Sequence, residues 1–412
     1  MVDLDLKWIR DRFPALSQEI NGQPVVFFDG PGGTQVPASV IDAIAQYLVN
    51  SNANTHGAFA TSERTDILVI SARAAVADLL GCDSDEVVFG SNMTTLTFAL
   101  SRAIGQELHP GDEIIVTKLD HYANVSPWFA LSEKGVVIRT VDVRIEDCTL
   151  DMNHLKQQLN ERTRLIAVGY ASNAVGTIND VAEVTKLAHS FGAMVFVDGV
   201  HYAPHGPIDV RAIDCDFLCC SAYKFFGPHV GVMYAKREHL TRLRPYKVQP
   251  APEELPGRWE TGTQNYEGLS GMVAAINYLA EIGYQVLPGV ANRRQALVAA
   301  MLGIKQYEKE LSHKLVSGLL QIPGLTLYGI TNPTQFDWRT PTVGIRLAGH
   351  TPQTAAKALG LRGIFTWNGN FYAPGITETL GIEASGGLLR IGLVHYNTVE
   401  EIHRLLTALS EL

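Results

Sequence analysis

Short apolar runs alternate with stretches of helical period along the first two thirds of this chain. Continuous apolar segments predict strands over 25–28, 87–89, 113–117, 136–141, 165–169, 194–197 and 217–220. Between them, helical periodicity predicts helices over 37–49, 64–80, 93–104, 125–131, 151–160 and 181–190. Pro37 opens the first of these, and Gly81 closes the second. This alternation predicts an α/β fold with a mostly parallel central sheet and helices on both faces. After Asn265 the texture changes. Long helices are expected over 266–284 and 292–320, then short segments at 325–328, 343–347, 353–359 and 388–393, and a last helix over 399–409. That pattern predicts a smaller C-terminal α+β domain, with the boundary near 265–290. No internal repeat interrupts the series.

Composition narrows the class. The 412 residues are 46% hydrophobic and 18% charged, which suits a globular enzyme and excludes a disordered chain. The net charge of −9 argues against nucleic acid or an anionic membrane as the main partner. No run is long and apolar enough to span a bilayer, and the N-terminus lacks the apolar stretch of a signal peptide. A cytoplasmic location is the expectation. Five cysteines, three of them crowded at 215, 219 and 220, make no disulfide framework. Strand alternation would put Cys215, Phe217 and Cys219 on one face and Asp216, Leu218 and Cys220 on the other, all in a covered core. A zinc site from His201, His205, Cys215 and Cys219 has the right residue types. It would need ligands on an interior strand, so no metal is expected.

Ligands of open α/β sheets sit outside the carboxyl ends of the strands. Asp198 directly follows one strand, and Ser221-Ala222-Tyr223-Lys224-Phe225-Phe226 follows another. A lysine held away from water is a nucleophile toward aldehydes. With a carboxylate partner for a ring nitrogen, it makes the recurrent pyridoxal phosphate arrangement. The alternatives are a salt bridge for Asp198 and a snorkelling surface lysine for Lys224. Gly90-Ser91-Asn92-Met93-Thr94-Thr95 opens a helix, whose free N–H groups and hydroxyls suit a phosphate. Plain N-capping by Ser91 or Asn92 is the competing reading. His121 and Asn173 also follow strands. His121 is placed to stack on a cofactor ring or to be a structural loop histidine, and Asn173 to bond the cofactor's phenolic oxygen or a substrate carboxylate.

These residues, with Phe28-Asp29-Gly30-Pro31-Gly32-Gly33-Thr34 at one end and the segment from Arg390 to Asn397 at the other, resemble the class V aminotransferase family of fold type I, in its cysteine desulfurase and selenocysteine lyase group. The resemblance covers nearly the whole chain. It implies pyridoxal 5'-phosphate as cofactor and a small amino acid as substrate. Lys224 would carry the Schiff base, Asp198 would pair with the ring nitrogen, and His121 would stack on the ring beside Asn173. Thr94, Thr95 and Ser221 would hold the phosphate, and Tyr223 stands where the family usually has a histidine. His201 stands where a glutamine usually meets the phenolic oxygen. Thr263, in Arg258-Trp259-Glu260-Thr261-Gly262-Thr263-Gln264-Asn265, would reach the phosphate of a neighbouring subunit, which implies a homodimer. Arg390 would grip the substrate's α-carboxylate, and His56 matches a histidine at the substrate entrance. The implied organisation is an N-terminal segment over 1–20 packing on the small domain, a large cofactor-binding domain over 21–270, a linking helix over 271–290 and a small domain over 291–412.

One departure bears on activity. Desulfurases carry a nucleophilic cysteine on a C-terminal loop, and the matching stretch Thr366-Trp367-Asn368-Gly369-Asn370-Phe371-Tyr372-Ala373-Pro374 has none. No cysteine follows Cys220. Cleavage at Cβ of the lyase or desulfurase kind is the first expectation, and amino transfer or epimerisation the second. A non-catalytic homologue that binds a partner protein is the rival from another class. The joint presence of Lys224, Asp198, His121 and Arg390 speaks against it. Phe371 and Tyr372 are expected to wall the pocket.

Overall fold

The structure, a computed structural model, describes residues 4–412. In chain order, the elements that position the site are β1 (Val26–Phe27), α1 (Ala38–Asn50), α2 (Ala60–Leu80), β2 (Val87–Gly90), α3 (Met93–Ile104), β3 (Glu113–Thr117), β4 (Val137–Val141), β5 (Thr163–Gly169), α4 (Val181–His189), β6 (Met194–Asp198), β7 (Phe217–Ser221) and β8 (Gly231–Ala235). Two long helices follow, α5 (Tyr266–Val286) and α6 (Arg293–Leu319). Then come β9 (Leu325–Tyr328), β10 (Thr342–Leu347), α7 (Pro352–Leu361), β11 (Ile364–Phe365), β12 (Trp367–Gly369), β13 (Leu388–Gly392) and α8 (Val399–Ser410).

The main sheet has seven strands in the order β2-β8-β7-β6-β5-β3-β4. From β7 to β4 all pairings are parallel, and β8 runs antiparallel to both of its neighbours. Strand β8 is the element that the β–α rhythm does not predict. It returns directly after the Lys224 turn with no helix between. Successive residues alternate between two cores. Val87, Phe89, Ile166, Val168, Val195 and Val197 face one, and Val88, Leu165, Ala167, Phe196 and Phe217 face the other. Burial on both faces is why these strands read as unbroken apolar runs.

Cys219 and Cys220 point to opposite faces as expected, but Cys215 does not join Cys219. It packs with Leu218 and Cys220. The strand starts only at Phe217, after Asp214 in left-handed conformation, so the period of two does not extend back to 215. All three thiols are fully buried. The helix expected over 125–131 is one turn, Ser126–Phe129, which tightens into a 3-10 segment, Ala130–Lys134, before left-handed Gly135.

A second sheet, β9-β10-β13-β12, is antiparallel throughout. Two features cross the expected divisions. Strand β1 pairs with β11, and Val26 and Phe28 lie in the small core with Leu311, Ile345 and Ile391. Helix α6 packs Ala296, Leu297 and Ile304 into the large core, and Leu311, Leu315 and Leu319 into the small one. The N-terminal segment touches both sides: Trp8 stacks on Tyr278 of α5, and Arg10 pairs with Glu401 of α8 at 2.9 Å. No described helix is long and apolar enough to cross a membrane.

Candidate active site

The carboxyl ends of β2, β3, β5, β6 and β7 converge on a cavity of about 730 Å³, closed from the small domain by the 367–372 segment and Arg390. Lys224, Asp198, His121, Asn173, His201, Ser221, Tyr223 and Thr94 all line it, as do Phe371 and Tyr372. Thr95, His56 and Thr263 do not. Thr95 donates its hydroxyl to the Asn92 carbonyl, and its N–H goes to Asn92 Oδ1, so it is engaged in capping α3. His56 is exposed, with its N–H on the Asp66 carboxylate, and Thr263 is exposed on the loop before α5.

Lys224 sits on the single turn that leaves β7. Its Nζ donates to the Pro31 carbonyl, in the breaker-rich loop after β1, and lies 4.8 Å from the centre of the Tyr223 ring. Burial, and then the Arg390 charge, push its ammonium down to about 7, against the opposing pull of Asp198 and Asp29. Asp198 ends β6 and accepts the Val200 N–H at 2.9 Å. Burial raises its carboxyl to about 6. A protonated nitrogen base beside it would restore the carboxylate.

His121 lies on the turn after β3. Its Nδ1 accepts the Ala123 N–H at 3.0 Å, so the ring proton sits on Nε2. Burial, then Lys224 and Arg390, lower it to about 4, which keeps the imidazole neutral. Asp120 anchors the turn by accepting the Gly169 N–H at 2.8 Å and the Asn124 amide at 3.0 Å. Its carboxyl is raised to about 8 by burial.

At the start of α3, Met93 donates its N–H to Ser221 Oγ at 3.2 Å, which leaves the Ser221 proton free. Strand β8 passes close beneath this point. A Cβ on Gly231 would lie 2.5 Å from the Asn92 backbone, so only glycine fits there.

Arg390 comes from β13 of the small sheet and is buried. One terminal nitrogen donates to the Asn173 carbonyl at 2.9 Å, its guanidinium carbon lies 4.2 Å from the centre of the Phe371 ring, and its Nε has no partner. Asn173 donates its amide to the Phe371 carbonyl at 2.9 Å, while its Oδ1 is buried and unpaired. Burial lowers the Arg390 guanidinium to about 9. Buried donors and acceptors are normally paired, so an open guanidinium Nε beside an open amide oxygen marks a polar ligand. The loop that covers them is pinned by the Tyr122 N–H on the Tyr372 carbonyl at 2.7 Å and by Tyr372 stacking on His121. Phe371 and Tyr372 both hold left-handed backbone, φ 57° and 58°, a costly conformation for aromatic residues.

The donor set fits pyridoxal phosphate. A carboxylate, a depressed lysine, a neutral imidazole and a helix start with free hydroxyls surround one space of suitable size. Sequence reasoning missed Asp120, Pro31 and Trp367 as lining residues. Asp120 had a signal, its place directly before His121. The contact of Lys224 with Pro31 had none.

The aminotransferase class-V family description matches residues 26–405. A cysteine desulfurase of Pectobacterium atrosepticum is 32% identical over 98% of this chain and 97% of its own length. A cysteine desulfurase of Synechococcus elongatus is 33% identical over 100% of this chain, which spans 64% of that relative's length. A crystal structure of a cysteine desulfurase from Escherichia coli superposes with a TM-score of 0.85 at 26% identity, over 99% of this chain and 98% of the other.

Proposed function

The chain belongs to the aminotransferase class-V family, and from that premise we propose a pyridoxal 5'-phosphate enzyme that cleaves at Cβ of a small α-amino acid without a persulfide cysteine on its C-terminal loop. The observation that carries the reading is Lys224 and Asp198 facing one cavity from adjacent strand ends, with Arg390 open on its far wall. When bound, pyridoxal phosphate supplies an electron sink for the charge formed at the substrate's Cα. Lys224 Nζ would hold the group by its aldehyde and would move the proton at the substrate's Cα. Asp198 would orient the ring through its nitrogen. Ser221, Tyr223 and Thr94, with the N–H groups that open α3, would hold the phosphate, and Thr95 is held to the Asn92 cap at the same turn. His121 would cover the ring and presents Nε2–H, and His201 would bond the phenolic oxygen. Arg390, with the second side-chain N–H of Asn173, would orient the substrate carboxylate.

We propose a homodimer as the working form, with Thr263 and His56 completing the partner's site. Its support is the apolar surface on α1 and α2, where Val49, Ile67 and Ile70 are 78%, 66% and 68% exposed. A cytoplasmic enzyme of four segments, 1–20, 21–270, 271–290 and 291–412, belongs to the same proposal. Amino transfer or epimerisation is the second reading, favoured by the absence of cysteine from 366–374.

The test is an absorbance spectrum of the yellow holoenzyme before and after each member of an amino-acid panel, with products identified. Sulfide, selenide or another Cβ leaving group supports the first reading. Keto-acid or inverted substrate supports the second, and an unchanged spectrum with every amino acid overturns both. Arg390→Ala should weaken amino-acid binding by about 1.5–3 kcal/mol, the worth of a charge-assisted hydrogen bond, and leave the cofactor spectrum as it was. Unchanged Michaelis constants would place the carboxylate elsewhere.

A further inference from the structure

A buried acid–base pair behind His201 has no part in the roles above. His205 lies on the segment leaving β6, and its Nδ1 is 2.8 Å from a carboxylate oxygen of Glu308, on α6. The two side chains are 3% and 2% exposed, and the second Glu308 oxygen has no side-chain partner. The His201 ring stands edge-on to His205 with centroids 5.1 Å apart, and His201 Nε2 is 3.3 Å from Thr340 Oγ1. His201 itself lines the active-site cavity. A continuous line of polar groups therefore runs from the cavity wall to the core face of a helix.

Apart from Ser312, whose hydroxyl donates to the Glu308 carbonyl, that face is apolar. Ile304, Leu311 and Leu315, on the same helix, are fully buried. A buried ion pair adds little to stability, because apolar residues of the same volume serve as well or better. Its consequence lies in the field it makes. The imidazole of the pair stands between the carboxylate and His201, so the carboxylate acts on the cavity wall only through His205. Lys224, Arg390 and His205 act on His201, and His395 lies beside His205. Lys305, Lys309 and Arg339 border Glu308 around a water-sized void. Among all these groups Glu308 is the one acid. Burial and the surrounding positive charge keep His201 neutral.

We infer that Glu308, acting through His205, is a positioning residue that sets the orientation and local field of His201 at the cofactor's phenolic oxygen. The inference rests on the pyridoxal phosphate reading above. Glu308→Gln removes the acid at nearly constant volume, and His205 then loses its carboxylate partner. The readout is the pH midpoint of the visible absorbance band of the holoenzyme. Loss of the carboxylate changes the field at the phenolic oxygen, and the midpoint should move by about 0.5 pH unit. His205→Gln should shift it in the same direction, and the double variant no further than either single one. A Glu308→Gln protein that binds the cofactor and titrates at the wild-type midpoint overturns the inference. Should Glu308→Gln fail to fold, His205→Gln carries the test with the same two outcomes. A wild-type protein that takes up no pyridoxal phosphate would overturn the function instead, so the two failures are distinct.

Discussion

Lys224→Ala should fold, fail to retain cofactor covalently, and lose turnover by about four orders of magnitude, the upper range for removing a positioned acid–base group. In the wild type, borohydride should fix the cofactor on Lys224, and peptide mapping should find the adduct there. The structure adds a pH dependence. With the Lys224 ammonium pushed down to about 7, half of the chains carry a free amine near neutrality, where an ordinary lysine is almost entirely protonated. Mixing the cofactor-free protein with pyridoxal phosphate should therefore give a rate of colour formation that falls as pH drops through about 7. A rate that keeps rising tenfold per pH unit up to pH 10 would mean an unperturbed lysine, and an adduct on another lysine would remove the assignment.

Incubation with cysteine should leave no persulfide on the protein. Persulfide transfer needs a thiolate that can reach the substrate sulfur. The 366–374 loop offers hydroxyl, indole, amide and phenol groups, and its Phe371 and Tyr372 carbonyls are bonded to the large domain. The cysteines that do exist are poorly suited. Cys148, Cys215, Cys219 and Cys220 are buried, and Cys82 is partly so. Burial pushes the Cys148 and Cys220 thiols up to about 12, and raises the other three as well. At pH 7 a thiol of that kind is ionised in about one molecule in 10⁵. Any turnover of cysteine should end in free sulfide and rise with added thiols. Intact-mass measurement after turnover decides it. A sulfur adduct on any of the five cysteines, with rates indifferent to added thiol, would show a relay where none is expected.

The strands of the main sheet were legible because each is covered on both faces and so reads as an unbroken apolar run. The cavity's lining was legible where it followed such a run, as with Asp198, His121, Asn173 and Lys224. Strand β8 was not, since it returns without the intervening helix on which the alternation rests. Cys215 was misplaced because a period of two holds only within a strand. Thr95 looked like a phosphate ligand by type, yet its hydroxyl is taken by the backbone of its own cap. His56 and Thr263 carry no geometry toward the cavity of their own protomer.

By itself, the sequence determined the order of strands and helices and put one acid and one amine at neighbouring strand ends. Those features are local, set by side-chain period and by the breakers that follow each run. Only the tertiary structure decided that Lys224 is depressed, that Arg390 Nε and Asn173 Oδ1 are left open together, and that Glu308 stands behind His201. Each depends on burial and on contacts between residues one hundred or more positions apart. A proton's affinity for a side chain follows from the charges and the solvent around it, and no pattern along the chain states which of them the fold will bring near.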